Sequence, residues 1–327
     1  MAKKYNICLD IGGTKVLGAV FNEKDKLVCK IKKRSTEKGS SSENVEEVII
    51  AVTRELIEKA NIKKSQINAI SAGVPGIINS DTGVVVFTPN LPWKDYDLRG
   101  AIEKEFGAKF YLGNDVNVGV LGEYEYGAAK GFKNVVGFFI GTGVGGGLIL
   151  NKKLFVGNEF KAGEYGHMIV EQDGLECGCG NHGCLESYAS KKGMAKYIKA
   201  EMEKGRPSMM GEFIDENGVF KSKYLKAAVE AGDEVALEAI DRACHYLAIG
   251  TGNMISALSP DCVVYGGGVI EALGDLFLEK VLAEVDRYAM PAIRPSVEIK
   301  KASLGDYSNI YGSLAMIKQA EKAKKKK

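Results

Sequence analysis

The chain has 327 residues, 45% hydrophobic and 26% charged, the make-up of a soluble globular protein long enough for two lobes. Net charge is +2, but five lysines crowd the last six residues, KAKKKK, and the remainder is net −3, which leaves no basic face for nucleic acid. No apolar run reaches the ~18 residues of a membrane span, no cleavable leader pattern precedes the first strand, and an odd count of seven cysteines does not suit a secreted disulfide scaffold, so the expected location is cytoplasmic.

Tyr5–Leu9 reads as a strand, Asp10-Ile-Gly-Gly-Thr-Lys15 as a glycine turn and Val16–Phe21 as the returning strand. Ser42 is placed to cap a helix over Glu43–Ala60, where Val45, Val48, Ile49, Val52, Leu56 and Ile57 share one face. Ile67–Ala72 is a strand ending at Gly73-Val-Pro-Gly76. Asp97 caps a helix over Leu98–Phe106, and the short strand Phe110–Leu112 runs into Gly113-Asn-Asp-Val-Asn117 and a helix to about Tyr126. Val135–Ile140, Gly141-Thr-Gly-Val-Gly-Gly-Gly147 and Leu148–Leu150 then repeat the first hairpin at an offset of 129 residues: Gly12 meets Gly141, Gly18 meets Gly147, Asn22 meets Asn151. A cysteine-rich loop follows, with a helix from about Leu185. An irregular stretch near Gly205–Gly218, of which Gly205–Asp215 reads as a mobile loop, is followed by helices over Tyr224–Ala231 and Asp233–Leu258. The strand Cys262–Tyr265 ends at Gly266-Gly-Gly268, and the next helix, interrupted at Gly274, runs to about Tyr288. A strand over Val297–Ala302, a helix from about Ile310 and a frayed lysine tail close the chain. Strands alternating with helices give an α/β class.

Forty glycines, about 12% against a usual ~7%, point to backbone that must approach something closely. In Asp10-x-Gly12-Gly13-Thr14-Lys15 the glycines let amide N–H groups approach an anion. Thr14 adds a hydroxyl, Lys15 a cation, and Asp10 is placed to hold Mg²⁺ through water. The spacing is not that of a Walker A loop. The second turn offers a further set of amides and the hydroxyl of Thr142. Gly266-Gly-Gly268 is a third site of close approach, or a simple helix–strand contact. Asn114-Asp115 puts a carboxylate at a strand end, placed either for general-base work or to cap the next helix. Cys177-x-Cys179-x₄-Cys184, with His167 ten residues earlier, supplies three thiols and an imidazole suited to a closed tetrahedral Zn²⁺ site of structural type. His182, inside the loop, is a rival fourth ligand. Cys8, Cys29, Cys244 and Cys262 lie in apolar segments and read as core.

Together these motifs resemble the ROK family of bacterial sugar kinases, repressors and related open reading frames, and within it the glucokinases. The likeness runs from Asp10 to about Gly312. It is carried by Ile140-x-x-Gly143-Val-Gly-x-Gly147-Leu148, Gly157, Gly163-x-x-Gly166-His167 and Cys-Gly-Cys-Gly-Asn-His-Gly-Cys-Leu-Glu186. The resemblance implies a two-lobed, actin-like (ribonuclease H-like) α/β fold with a sugar cleft between lobes. A small N-terminal lobe would span residues 1–113, completed by the C-terminal helix near 309–327, with a large lobe over 114–308 holding the zinc loop. It further implies that Asp115 is the base for the sugar 6-hydroxyl, and that Gly76, Asn90, Asn114, Glu164, His167 and Glu186 meet the sugar. Asp10, Gly12, Gly13, Thr14, Lys15, Thr142, Gly143, Gly267 and Gly268 would bind Mg²⁺ and ATP. On this resemblance His167, not His182, joins Cys177, Cys179 and Cys184 on zinc. The expected activity is ATP-dependent phosphorylation of a hexose, with glucose preferred over N-acetylmannosamine, N-acetylglucosamine, fructose or allose, in a homodimer or homotetramer. A sugar-sensing repressor of the family would need a helix-turn-helix of about 70 residues before the first hairpin, and only nine residues precede Asp10. One departure stands out. Where the family has a small Asp-Ala-Gly turn, this chain has Asp306-Tyr-Ser-Asn-Ile-Tyr-Gly312.

Overall fold

The computed structural model describes residues 4–13, 15–34 and 42–325. They divide into two compact units. The first comprises the chain to Lys130 with Leu154–Ala162 and Tyr307 onward, and the second Gly131–Lys153 and Gly163–Asp306.

The first unit is built on strands β1 (Tyr5–Ile11), β2 (Lys15–Asn22), β3 (Leu27–Arg34), β4 (Ile67–Val74), β5 (Ile77–Asn79), β6 (Val84–Phe87), β7 (Lys94–Asp97) and β8 (Lys109–Asn114). Its main sheet has the order β3-β2-β1-β4-β8, with β1, β2 and β3 antiparallel and β1, β4 and β8 parallel. Alternation along β1 decides what covers each face. Ile7, Leu9 and Ile11 pack with Val45, Ile49, Val52 and Leu56 of α1 (Ser42–Lys59) and with α2 (Leu98–Phe106). Cys8, on the opposite face, joins Leu17, Ala19 and Phe21 under Ile310, Leu314 and Ile317 of the C-terminal helix, Ser308–Lys325. Each such aliphatic side chain contributes roughly 1.5–3 kcal/mol on burial. The second, antiparallel sheet β5-β6-β7 answers to no alternation in the sequence. The turn between β6 and β7 holds it instead: Trp93 is buried and stacks on Tyr96, and the Thr88 hydroxyl donates to the Leu91 carbonyl at 2.6 Å.

Helix α3 (Asp115–Tyr126) crosses the C-terminal helix at a pair of glycines. A Cβ on Gly122 would sit 2.1 Å from the Ser308 carbonyl oxygen, and one on Gly312 would sit 1.8 Å from that of Val118. Only hydrogen fits at either position. The lysine tail differs from the frayed end expected. As far as Lys325 it continues the helix, and Lys324 donates to the Tyr111 hydroxyl at 3.2 Å.

The second unit carries β9 (Val135–Ile140), β10 (Val144–Leu150), β12 (Cys262–Gly266) and β13 (Glu298–Lys301); β11 (Lys153–Phe155) begins on its boundary. The order β10-β9-β12-β13, with β9/β10 antiparallel and the rest parallel, repeats β2-β1-β4-β8 strand for strand. Its helices are α4 (Glu186–Ala189), α5 (Lys191–Glu203), α6 (Ser222–Glu230), α7 (Glu234–Leu258), α8 (Gly268–Leu273) and α9 (Asp275–Tyr288). The helix expected from Leu185 breaks at Ser190, whose hydroxyl accepts from the Gly193 amide at 3.0 Å and starts α5 afresh. The stretch near Gly205 is not the loose loop expected. Arg206 is paired to Glu201 and Glu238, Ser208 donates to Asp233 at 2.8 Å, and Met210 is fully buried. No helix among the described residues is long and apolar enough to cross a membrane.

Candidate functional site

In the first unit the three parallel strands end level with one another. Asp10 pairs with Gly73, and Gly73 with Gly113. Loops at such carboxyl ends are where open α/β sheets place ligands. From here the predicted residues form a connected series. Gly73 touches the Asp115 backbone, 3.3 Å from where its Cβ would lie. Asn114 donates from its side-chain amide to the Gly76 carbonyl at 3.0 Å. Gly76 has φ +106°, and a Cβ there would lie 2.1 Å from the Phe87 carbonyl oxygen, so the position demands glycine. Three residues beyond Phe87, Asn90 lies against the glycine turn, its Cβ 3.4 Å from a Cβ placed on Gly13. The turn itself is closed by the Gly12 amide donating to the Lys15 carbonyl at 2.9 Å. Thr14 lies outside the described residues. The capping alternative for Asp115 falls to its neighbour: the Asn114 side chain accepts the Asn117 amide at 3.0 Å, while Asp115 accepts the amide of Val116.

In the second unit the glycine turn is shorter than its sequence suggests. Gly141–Gly143 form the turn, with Thr142 exposed at its tip, whereas β10 starts at Val144. Gly146 belongs to packing, since a Cβ there would strike the Tyr165 ring and the Gly163 carbonyl. Gly267, at φ +89°, brings the turn after β12 against the end of β9, with a Cβ position 2.5 Å from the Ile140 carbonyl oxygen. Gly268 opens α8. The α5 start closes on the same region: the Lys191 amide donates to the Gly141 carbonyl at 3.0 Å. Glu186 accepts the Val144 amide at 2.9 Å, which ties its carboxylate to the turn. Glu164 sits one turn before His167, and burial holds its carboxyl above the usual range, opposed by His167 and reinforced by Glu186. Lys191 and the Glu186–Val144 bond were not anticipated; the only sequence signal was the proximity of Glu186 to the cysteine loop.

The ligating atoms of His167, Cys177, Cys179 and Cys184 all lie within 4.8 Å of one another. Cys177 Sγ is 3.6 Å from His167 Nδ1, and Cys179 Sγ is 3.7 Å from Cys184 Sγ. A tetrahedron with metal–ligand bonds of 2.0–2.3 Å has edges of about 3.3–3.8 Å, so this donor set fits Zn²⁺. His182 points elsewhere, its Nδ1 3.2 Å from the Gly174 carbonyl oxygen. Burial pushes the Cys184 thiol up to about 12, while the Asn181 backbone amide holds Cys179 below its usual range. Below the cluster the loop has its own footing. The Tyr188 hydroxyl accepts the Leu175 amide at 2.8 Å, Tyr246 donates to Glu171 at 2.7 Å, and the two rings stack at 3.9 Å with Arg242 over both. Of the other cysteines, Cys8, Cys244 and Cys262 are buried and Cys29 is half-buried.

Comparison with known proteins gives a consistent set of likenesses. A family model described as ROK family matches residues 6–320. A glucokinase of Halalkalibacterium halodurans is 31% identical over 327 residues, covering 100% of this chain and 98% of that protein. A putative xylose repressor of Caldicellulosiruptor sp. is also 31% identical, over 85% of this chain and 69% of the repressor. The solved structure of a ROK family glucokinase from Streptomyces griseus, in complex with glucose and AMPPNP, matches with a TM-score of 0.80 at 28% identity, over 94% of this chain and 97% of that one.

Proposed function

The chain belongs to the ROK family, with the actin-like ATPase fold of its kinases, and from this we propose that it is an ATP-dependent sugar kinase acting on the 6-hydroxyl of a hexose, glucose first among candidates. The observation that carries the reading is Asp115. It is a half-buried carboxylate in the first turn of α3, beside the level ends of three parallel strands, with the capping duty taken by Asn114. The likeness to glucokinases, one of them solved with glucose and AMPPNP, supports the same assignment.

On this reading Asp115 accepts the proton of the attacking hydroxyl. Gly76, Asn90, Asn114, Glu164, His167 and Glu186 would hydrogen-bond the other sugar hydroxyls, so an analogue lacking one would leave a buried group unpaired. Amides at Gly12 and Gly13, with Thr14 and Lys15, and amides at Gly143, Gly267 and Gly268 with the Thr142 hydroxyl, would hold the phosphates and nucleoside. Asp10 would carry Mg²⁺, which offsets phosphate charge during transfer. His167, Cys177, Cys179 and Cys184 would hold Zn²⁺ in a closed site with a structural role, fixing the Glu164–His167 segment.

The test is ADP release over a panel of hexoses and N-acetylhexosamines. Glucose should give the highest kcat/KM, and no turnover with any sugar would overturn the reading. Asp115→Ala should lower kcat by roughly 10²–10⁴ while AMPPNP binding by calorimetry persists. A second reading, sugar sensing without transfer, rests on the likeness to xylose repressors. It predicts sugar binding with no ADP release.

A further inference from the structure

The atypical segment Asp306–Gly312 departs from the family pattern, and the structure gives its bulkier residues specific partners. Lys30 donates to the Tyr307 hydroxyl and sits 4.5 Å from that ring's centre. The Ser308 hydroxyl donates to the buried Glu123 carboxylate at 2.9 Å. The Tyr311 ring packs 5.5 Å from Phe21 and 5.4 Å from Tyr126. One turn on, the buried Ser313 hydroxyl donates to the Leu9 carbonyl at 3.1 Å. The start of the C-terminal helix is thus pinned on both sides of Asn309. There the side-chain amide donates to Asp10 Oδ1 at 2.8 Å.

We propose that Asn309 is a positioning residue for Asp10, holding its carboxylate fixed in rotation toward the divalent cation that accompanies the phosphoryl donor. The inference rests on the kinase reading of Asp10. An amide suits this task better than a lysine or arginine. It engages one oxygen and fixes the carboxylate plane, yet adds no positive charge to repel the cation. Its own placement does not depend on any ligand, because Ser308, Ile310, Tyr311 and Ser313 secure the helix turn that carries it.

The test is Mn²⁺ binding followed by electron paramagnetic resonance in the presence of AMPPNP, with sugar affinity measured separately by calorimetry. Asn309→Ala should raise the Mn²⁺ concentration for half-saturation roughly threefold to tenfold, the span of one lost hydrogen bond, and leave sugar affinity unchanged. Asp10→Asn should weaken Mn²⁺ further, and Asn309→Ala added to it should have no additional effect, since the two act as one unit. Unchanged Mn²⁺ binding in Asn309→Ala beside a loss in Asp10→Asn would overturn this inference alone. An equal effect of Asn309→Ala in both backgrounds would likewise overturn it by showing a general structural role. Wild-type Mn²⁺ binding in Asp10→Asn would overturn both the inference and the reading of Asp10 beneath it.

Discussion

Asn114 and Asp115 are adjacent, similar in size and differently employed. Asn114 spends both ends of its amide on backbone, accepting from Asn117 and donating to Gly76, while Asp115 follows as the first residue of the helix. Such a division was half legible beforehand. The pair could be placed at a strand end, but whether Asp115 was a base or a cap depended on which side chain reached the Asn117 amide, and no spacing rule decides that. The zinc loop was more legible, because three thiols in eight residues leave few alternatives, though choosing His167 over His182 needed the family likeness. Cys179 is the exposed member of that cluster. Cys179→Ser should reduce zinc to well below one per chain by elemental analysis and raise the sugar KM, with full zinc retention counting against the ligand set.

Helices and strands were legible where glycine or a capping residue marks an end, and illegible where contacts define them. Strands β5–β7 are three or four residues each, and the pairing of β6 with β7 is closed by the Thr88–Trp93 turn. Strand β3, LVCKIKKR, is an edge strand whose basic residues mask its alternation. Gly122 and Gly312 look like weak points in two helices, yet they are the crossing point of α3 and the C-terminal helix. Alanine gains at most about 1 kcal/mol of helix propensity over glycine. Forcing a Cβ to 1.8 Å from the Val118 carbonyl should cost more, so Gly312→Ala is expected to destabilise by about 2–3 kcal/mol in urea titrations. The pinned stretch near Gly205 gives a second check. Arg206, then Tyr197, holds the Glu238 carboxyl at about 2. A lowered carboxylate stabilises the fold fully above its unfolded value and loses that support as pH falls toward 2. Arg206→Ala should therefore flatten the acid loss of stability between about pH 4.5 and 2, and added salt should shrink the difference because the pair is partly exposed.

The two sheets show how far a faint repeat can reach. The 129-residue offset linked two hairpins only, whereas the structure extends the correspondence to four strands in the same order and sense. Beyond the hairpins the match thins to Gly73 and Gly266, at the same register in β4 and β12, since the rest of each strand is specified by burial, which many apolar sequences satisfy. Glycines recur most, because only they clear the backbone at the turns. Glucose and AMPPNP together are expected to raise the melting temperature more than either alone, as read by calorimetry, and identical melting with and without both would count against the kinase reading.

The pedestal of Tyr188, Tyr246 and Arg242 beneath the cysteine cluster changes what a zinc ion held there would have to do. In small zinc domains the ion must fold the chain around itself, and its binding energy is spent on that work. Here protein–protein bonds already hold Leu175 and Glu171, so an ion bound by the cluster would inherit a loop that is closed at its base. Chelation should then leave a folded protein with only a slackened loop tip, one able to take zinc back without refolding. Dependence on the metal would be felt in sugar affinity long before it is felt in survival of the fold.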